Sequence, residues 1–448
     1  MIVIEHCAVS TVDGAGTEHA DGHVAVEGDR IVAVGPGRYE GAPDATRVDG
    51  TGCLATPGLV NTHHHLYQSA TRGYAQQEIL FGWLKELYPV WARIDAGTVH
   101  AAATAGLAQL ALSGCTTSTD HHYVFPRDGG DVLAAEIEAA AAVGLRFHPC
   151  RGSMDLSVKD GGLPPDSVVE DTDAALAATK DAIDRFHDPS PGAMVRIAVA
   201  PCSPFSVTPR LMREAADLAR SEGVRLHTHL AETVEEEAYC REVHGCTPVD
   251  HAESLGWLGD DVWLAHAVHL DPGAIAKLGA TGTGVAHCPS SNGRLGAGLA
   301  PVRDLLDARV PVGLGVDGAA SQEAGQLGPE LRQALYLARL RGGPAALTAR
   351  ESLALGTIGG ARCLGRADEL GSLEVGKLAD VALWRLDGIG HAGIDDPVAA
   401  LVFGPPAPLR LLLVGGRAVV QDGALSTVDE AMAAAALTRA ARKLREAR

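Results

Sequence analysis

Two segments far apart in the chain carry the residue types that hold a divalent ion and move protons beside it: Pro57-Gly58-Leu59-Val60-Asn61-Thr62-His63-His64-His65 and His229-Leu230-Ala231-Glu232. Neutral imidazoles ligate zinc-like ions, and a nearby carboxylate can pass a proton between an acidified water and a substrate. The chain holds 19 histidines, so residue type decides little and position decides much. The apolar run Cys53 to Val60 bends at Pro57-Gly58 and reads as a short buried strand that delivers His63 and His65 at its carboxyl end. Side chains at i and i+2 of a strand share a face, which lets those two meet one ion while His64 turns away. Gly223 to His229 repeats the design: a strand pattern ends in His229, and a charged helix pattern opens at Glu232. The weaker, competing reading of Glu232 is a first-turn carboxylate favoured by a helix dipole.

The patterning around these segments supplies the elements that must position them. Strand candidates run Leu59 to His65, Thr116 to Asp120, Leu145 to Cys150, Val195 to Pro201, Val224 to His229, Val262 to His266, Gly284 to His287 and Pro311 to Asp317. Helix patterns fall between them at Ala101 to Leu112, Val132 to Val143, Ala174 to Phe186, Pro209 to Ser221 and Pro301 to Ala308. The alternation predicts an α/β fold, a (β/α)8 TIM barrel over residues 57–370, whose chemistry belongs at the carboxyl ends of the strands. His63, His65, Asp120, His121, His122, His229, His266, His287 and Asp317 all fall at predicted strand ends. Residues 1–56 and 371–428 read instead as short β segments, with a tight turn at Gly28-Asp29. Each flank is too small to hold a core, so the two are expected to pair into one small β-sandwich domain formed by both termini. Residues 429–448 read as a C-terminal helix.

Composition narrows the function. With 46% hydrophobic and 21% charged residues the chain is an ordinary globular protein able to bury a large core. No apolar run reaches bilayer length and the first residues lack a basic stretch followed by an apolar one, so a cytoplasmic protein without a membrane partner is expected. Nine scattered cysteines read as reduced thiols, and Cys240, His244 and Cys246 lack the second pair of a zinc finger and read as a helix end. A net charge of −19 repels phosphate backbones, which argues against a nucleic-acid partner; any nucleobase handled here is free.

Six segments in order carry a resemblance: Pro57 to His65, His227 to Thr233, Leu264 to Leu270, Ala286 to Asn292, Gly313 to Gly318, and Gly376 to Asp380. Together they resemble the amidohydrolase superfamily, in its nucleobase and triazine deaminase branch, over nearly the whole chain. The resemblance implies imidazole ligands at His63, His65 and His229, a carboxylate ligand at Asp317 that also accepts a proton, and acid/base partners at Glu232 and His266. Binuclear relatives carry a carboxylated lysine at the end of the fourth strand; Val195 to Val207 contains none, so one divalent ion is expected, zinc before iron or manganese.

The segments after His65 and after the second strand look closest to 8-oxoguanine deaminases and to hydroxyatrazine ethylaminohydrolases. That likeness implies hydrolysis of 8-oxoguanine to urate and ammonia, by attack of ion-activated water on the amino-bearing ring carbon. A triazine aminohydrolase, a guanine, S-adenosylhomocysteine or pterin deaminase, and a non-catalytic scaffold are the alternatives, the last disfavoured because the ligand residues are all present. Expected substrate contacts are Gln68, Trp83, Tyr123, Cys202 and Ser203, with His269 and Asn292 as weaker candidates and His122 as either a substrate contact or a support behind the metal ligands. Relatives of this kind commonly form homo-oligomers.

Overall fold

The computed structural model describes residues 1–446, so Ala447 and Arg448 of the expected C-terminal helix lie outside the described residues. Eight parallel strands close into a barrel in chain order: β1 (Leu59–Asn61), β2 (Cys115–His122), β3 (Arg146–Ser153), β4 (Ala198–Pro201), β5 (Arg225–Leu230), β6 (Val262–His266), β7 (Gly284–His287) and β8 (Val312–Leu314). The ring closes where Leu314 of β8 pairs with Asn61 of β1. Each strand read from the sequence is present, and the helices between them include Ala96–Leu112, Val132–Val143, Thr172–Phe186, Pro209–Glu222 and Val302–Asp307. Their starts follow local chemistry: Asp95, Asp131, Asp171 and Thr208 each accept a backbone N–H of the first turn, and Gly144 and Gly223 end two helices in the left-handed conformation. Inside the barrel Trp263 packs among the small residues Cys150, Ala198, Ala200 and Ala286, so one large ring fills space that eight strands leave open.

β1 and β8 stop earlier than their apolar patterns. Ladder pairing ends at Asn61 and Leu314, so His63, His65 and Asp317 lie on irregular chain just past the strands. Their convergence therefore comes from tertiary hydrogen bonds rather than from strand alternation.

The two flanks join in one nine-stranded sheet. Its middle strand, Cys53–Pro57, pairs in parallel with Ile2–Ser10 and antiparallel with Val381–Arg385. Ile4, Val24, Ile31 and Ala55 from one terminus share a core with Val381, Leu383 and Leu413 from the other, as the size argument required. Pro57-Gly58 is the joint: Pro57 ends a strand of this sheet and Leu59 begins the barrel. A Cβ on Gly58 would meet Thr116 of β2 at 2.2 Å, so only glycine lets the joint approach the barrel wall this closely. A buried ion pair links the same two layers, Arg146 Nη2 of β3 lying 3.1 Å from Asp380 Oδ1. The helix Glu430–Glu446 then packs back against Ala96–Leu112. Among the described residues no helix is long and apolar enough to cross a membrane, and all nine cysteines are free thiols.

Candidate active site

The tautomers of three histidines follow from what their second nitrogens touch. His65 Nδ1 donates to the His121 carbonyl at 2.7 Å, and His229 Nδ1 donates to the Cys202 carbonyl at 2.7 Å. A carbonyl oxygen only accepts, so each ring carries its proton on Nδ1 and keeps a lone pair on Nε2. His63 reaches the same state through a relay. His227 Nδ1 donates to the Trp263 carbonyl at 2.8 Å, which leaves His227 Nε2 to accept from His63 Nδ1, also at 2.8 Å. His63 Nε2 is thereby unprotonated, buried and without a hydrogen-bond partner.

These lone pairs face one another. His65 Nε2 and His229 Nε2 stand 3.1 Å apart, and Asp317 Oδ1 lies 3.4 Å from His63 Nε2 and 3.2 Å from His65 Nε2. Opposed lone pairs repel, whereas a divalent cation among them turns the same geometry into coordination. The orphaned His63 nitrogen, the three imidazoles and the carboxylate thus fit a divalent ion. Burial drives the imidazoles of His63 and His229 well below their ordinary pKa, keeping them neutral as ligands must be.

Beside the donor set lies the acid/base pair. Glu232 and His266 are both buried, with His266 Nε2 3.7 Å from Glu232 Oε1 and 4.0 Å from Asp317 Oδ2. Burial first, and the Asp317 charge second, push the Glu232 carboxyl well above its usual range. Asp317 is served as a carboxylate by donors instead, the Gly318 N–H reaching its Oδ1 at 2.7 Å. Ser291 and Ser321 hydroxyls donate to Asp317 Oδ2 at 2.6 and 3.2 Å, and His266 Nδ1 is held 3.0 Å from Asn292 Oδ1. Ala231, His266, Ala267 and Asp317 all have φ between +47° and +71°. Non-glycine residues adopt that region at a cost of about 1–2 kcal/mol each, a strain that collects where site residues are aimed.

A cavity opens above this cluster. His65, His229, Glu232, His266 and Asp317 line its polar end; Leu80, Trp83, Leu84, Tyr88, Tyr123, Phe205 and Leu295 form the apolar walls, with Gln68, Cys202 and Ser203 between. Neither atom of the buried Gln68 carboxamide has a hydrogen-bond partner, which leaves a donor and an acceptor unspent beside the cavity. A Cβ on Gly318 would meet Gln68 Oε1 at 1.8 Å, so the glycine after Asp317 makes room for that amide.

Of the residues singled out from sequence, His63, His65, His229, Glu232, His266 and Asp317 meet at one place, and Gln68, Trp83, Tyr123, Cys202 and Ser203 line the cavity above them. His122, His269 and Asn292 do not line it. His122 is sealed between Glu136 Oε1 at 2.6 Å and the Val124 carbonyl at 2.8 Å, because the last residues of β2 alternate and turn it outward. His269 sits on the neighbouring surface with Nε2 2.8 Å from the Ala297 carbonyl, and Asn292 stands behind His266. Glu232 is not a first-turn residue either: the helix that follows is Val234–Val243, capped by Thr233, and Glu236 reaches back to accept from Glu232 N at 2.9 Å.

Sequence reading missed His227, Ser291 and Ser321, along with the apolar wall other than Trp83 and Tyr123. His227 had a signal, since it lies two residues before His229 on the same face of β5. Phe205 and Leu295 had none, because they enter on loops.

A family model described as "Amidohydrolase family" matches residues 54–419. The chain is 46% identical over 418 residues to the 8-oxoguanine deaminase of Pseudomonas aeruginosa, covering 92% of each. It is 40% identical to an isoxanthopterin deaminase of an unknown prokaryotic organism, covering 94% of this chain and 92% of that one. Among solved structures it superposes with a TM-score of 0.93 on the atrazine chlorohydrolase of Arthrobacter aurescens complexed with zinc, at 36% identity over 98% of this chain and 100% of that one. Spread across the barrel and both flanks, and coinciding with the converged donor set, this similarity means that the chain belongs to the amidohydrolase family and is a hydrolase acting on carbon–nitrogen bonds.

Proposed function

We propose that the chain is a metal-dependent hydrolytic deaminase of a free, oxygenated nitrogen heterocycle, and that 8-oxoguanine, converted with water to urate and ammonia, is its substrate. The observation that carries this reading is the meeting of three Nε2 lone pairs and Asp317 beside the buried Glu232, at the polar end of an apolar-walled cavity. His63, His65, His229 and Asp317 would hold the ion, with zinc favoured by the donor set and by the zinc in the atrazine chlorohydrolase. A divalent ion bound there makes water acidic near neutral pH and polarises what it touches.

The remaining chemistry belongs to side chains. Asp317 and His266 take the proton from the attacking water as its oxygen bonds to the amino-bearing ring carbon. Glu232 gives its proton to a ring nitrogen, which makes that carbon electrophilic, then takes the proton of the hydroxyl now bonded to that carbon and passes it to the departing amine; the proton held by Asp317 and His266 afterwards restores the acid form of Glu232. The carbon–nitrogen bond breaks, ammonia leaves, and a carbonyl stands in its place. Trp83 and Tyr123 pack against the flat ring, and Gln68 donates to and accepts from its edge.

Similarity to the 8-oxoguanine deaminase supports the purine, while the triazine hydrolase likeness keeps a hydroxytriazine aminohydrolase as the second reading. Ammonia release from 8-oxoguanine, isoxanthopterin, guanine, S-adenosylhomocysteine and hydroxytriazines, with metal content measured on the same sample, separates them. The purine reading predicts the highest kcat/KM for 8-oxoguanine. A hydroxytriazine preferred tenfold or more would overturn it.

A further inference from the structure

Glu236 is wholly buried, and the chemistry above makes no use of it. Its Oε1 accepts from Ala231 N at 2.8 Å and its Oε2 from Glu232 N at 2.9 Å. The residue stands third in the helix Val234–Val243, where a carboxylate ordinarily reaches back to the N–H of the capping residue. Here both oxygens reach past the cap, Thr233, to two N–H groups outside the helix, while the Thr233 hydroxyl serves the first turn by accepting from Glu236 N at 3.4 Å. Two successive N–H groups closing on one carboxylate fix the backbone between them. Burial pushes the Glu236 carboxyl up to about 7, and the Glu232 and Ala231 N–H groups pull it down, as donors to its charged form do.

What those two bonds hold is the turn that carries Glu232. Ala231 has φ +53°, which a residue with a Cβ adopts only against strain, so something must keep it there. Its N–H goes to Glu236, and its carbonyl accepts from Val268 N and His269 N, both at 2.9 Å, just past His266. The turn is thus clamped by the helix that follows it on one side and by the segment after β6 on the other, and across it Glu232 Oε1 stands 3.7 Å from His266 Nε2. We infer that Glu236 is a positioning residue, whose carboxylate holds the strained turn at Ala231 so that the Glu232 carboxyl keeps its place beside His266 and the donor set. This rests on the acid role given to Glu232 above.

Steady-state ammonia release by zinc-loaded natural chain, Glu236→Gln, Glu232→Gln and the double variant tests it, on whichever compound named above the natural chain turns over best. Glu236→Gln keeps the shape and one acceptor but turns an NH2 toward the second N–H. Its kcat should fall by about 10- to 100-fold, as a misplaced proton-transferring group does, while KM changes by less than about threefold and metal content stays full. In the Glu232→Gln background the same change should cost less than about threefold, because the group it aims no longer carries the proton. A residue that served the fold alone would lose the same factor in both backgrounds. Glu236→Asp keeps the charge but is one methylene too short to meet both N–H groups, and should behave as Glu236→Gln does. A kcat within about twofold of the natural chain in both Glu236 variants, or an equal loss in both backgrounds, overturns the inference. Failure of both variants to give folded, metal-loaded protein overturns it as well, since the carboxylate then serves the fold. If no compound releases ammonia, or Glu232→Gln keeps the natural rate, the acid role itself has failed and takes the inference with it; if Glu232→Gln loses activity and the coupling is missing, the inference fails alone.

Discussion

A carboxyl held as an acid stands beside a carboxylate held as a base, and that asymmetry is what the site offers chemically. Glu232 is raised by burial and by the Asp317 charge, whereas Asp317 accepts from the Gly318 N–H and from the Ser291 and Ser321 hydroxyls, donors that favour its charged form. Glu232→Gln should leave metal content intact and cut kcat by about 100- to 10,000-fold, because one residue serves more than one proton transfer. The sign of the pH dependence follows: a raised pKa keeps the acid form at neutrality, so turnover falls as pH rises through it, and that alkaline limb should be absent from the residual activity of the variant. His227 acts one layer further back. His227→Phe keeps the stack on Trp263 but removes the acceptor that fixes the His63 tautomer. Metal affinity measured by competition with a chelator should weaken by about 10- to 100-fold, and an unaltered affinity would show that His63 needs no such anchor. The ligand histidines were legible because the motif names them, but the relay behind them was not, since one lone pair's availability depends on a carbonyl 36 residues further along, at Trp263.

At the scale of elements, the strand ends decide where side chains point. Patterning placed all eight strands, yet it carried β1 to His65 and β8 to Asp317, four and three residues past the observed ladders at Asn61 and Leu314. Apolar character continues beyond the last ladder bond because the strand exit is also buried, and period alone cannot see where pairing stops. The same limit applies to β2, where reading His122 as a pocket residue depended on its face, and the face points to Glu136. The joint between sheet and barrel is a further element-level feature. Gly58→Ala puts a methyl 2.2 Å from Thr116 Cγ2 and 2.3 Å from its hydroxyl, so the strand or β2 must shift. The expected cost is about 1–3 kcal/mol, read as a lower urea midpoint at unchanged slope. An unmoved midpoint would mean the joint yields freely.

Across the whole molecule, strands from both ends of the chain, from Ile2–Ser10 to Ala424–Leu425, make one sheet, and that sheet is bolted to the barrel by Arg146 and Asp380. Arg146 also donates to the carbonyls of Gly192 and Ala193, and Asp380 also accepts from Gly415 N at 2.8 Å. Arg146→Met strands a buried carboxylate, and should destabilise the fold by about 3–5 kcal/mol in denaturant titration. A loss under 1 kcal/mol would show that water reaches Asp380 once the arginine is gone. By itself the sequence determined the alternation of strands and helices, the need of two small flanks to share a core, and the residues that can ligate and titrate, because these depend on local periodicity and side-chain type. Only the tertiary structure decided which imidazole nitrogens are left bare, which carboxyl keeps its proton and which rings wall the cavity. Those properties arise from burial and from contacts between distant segments, which no local pattern contains.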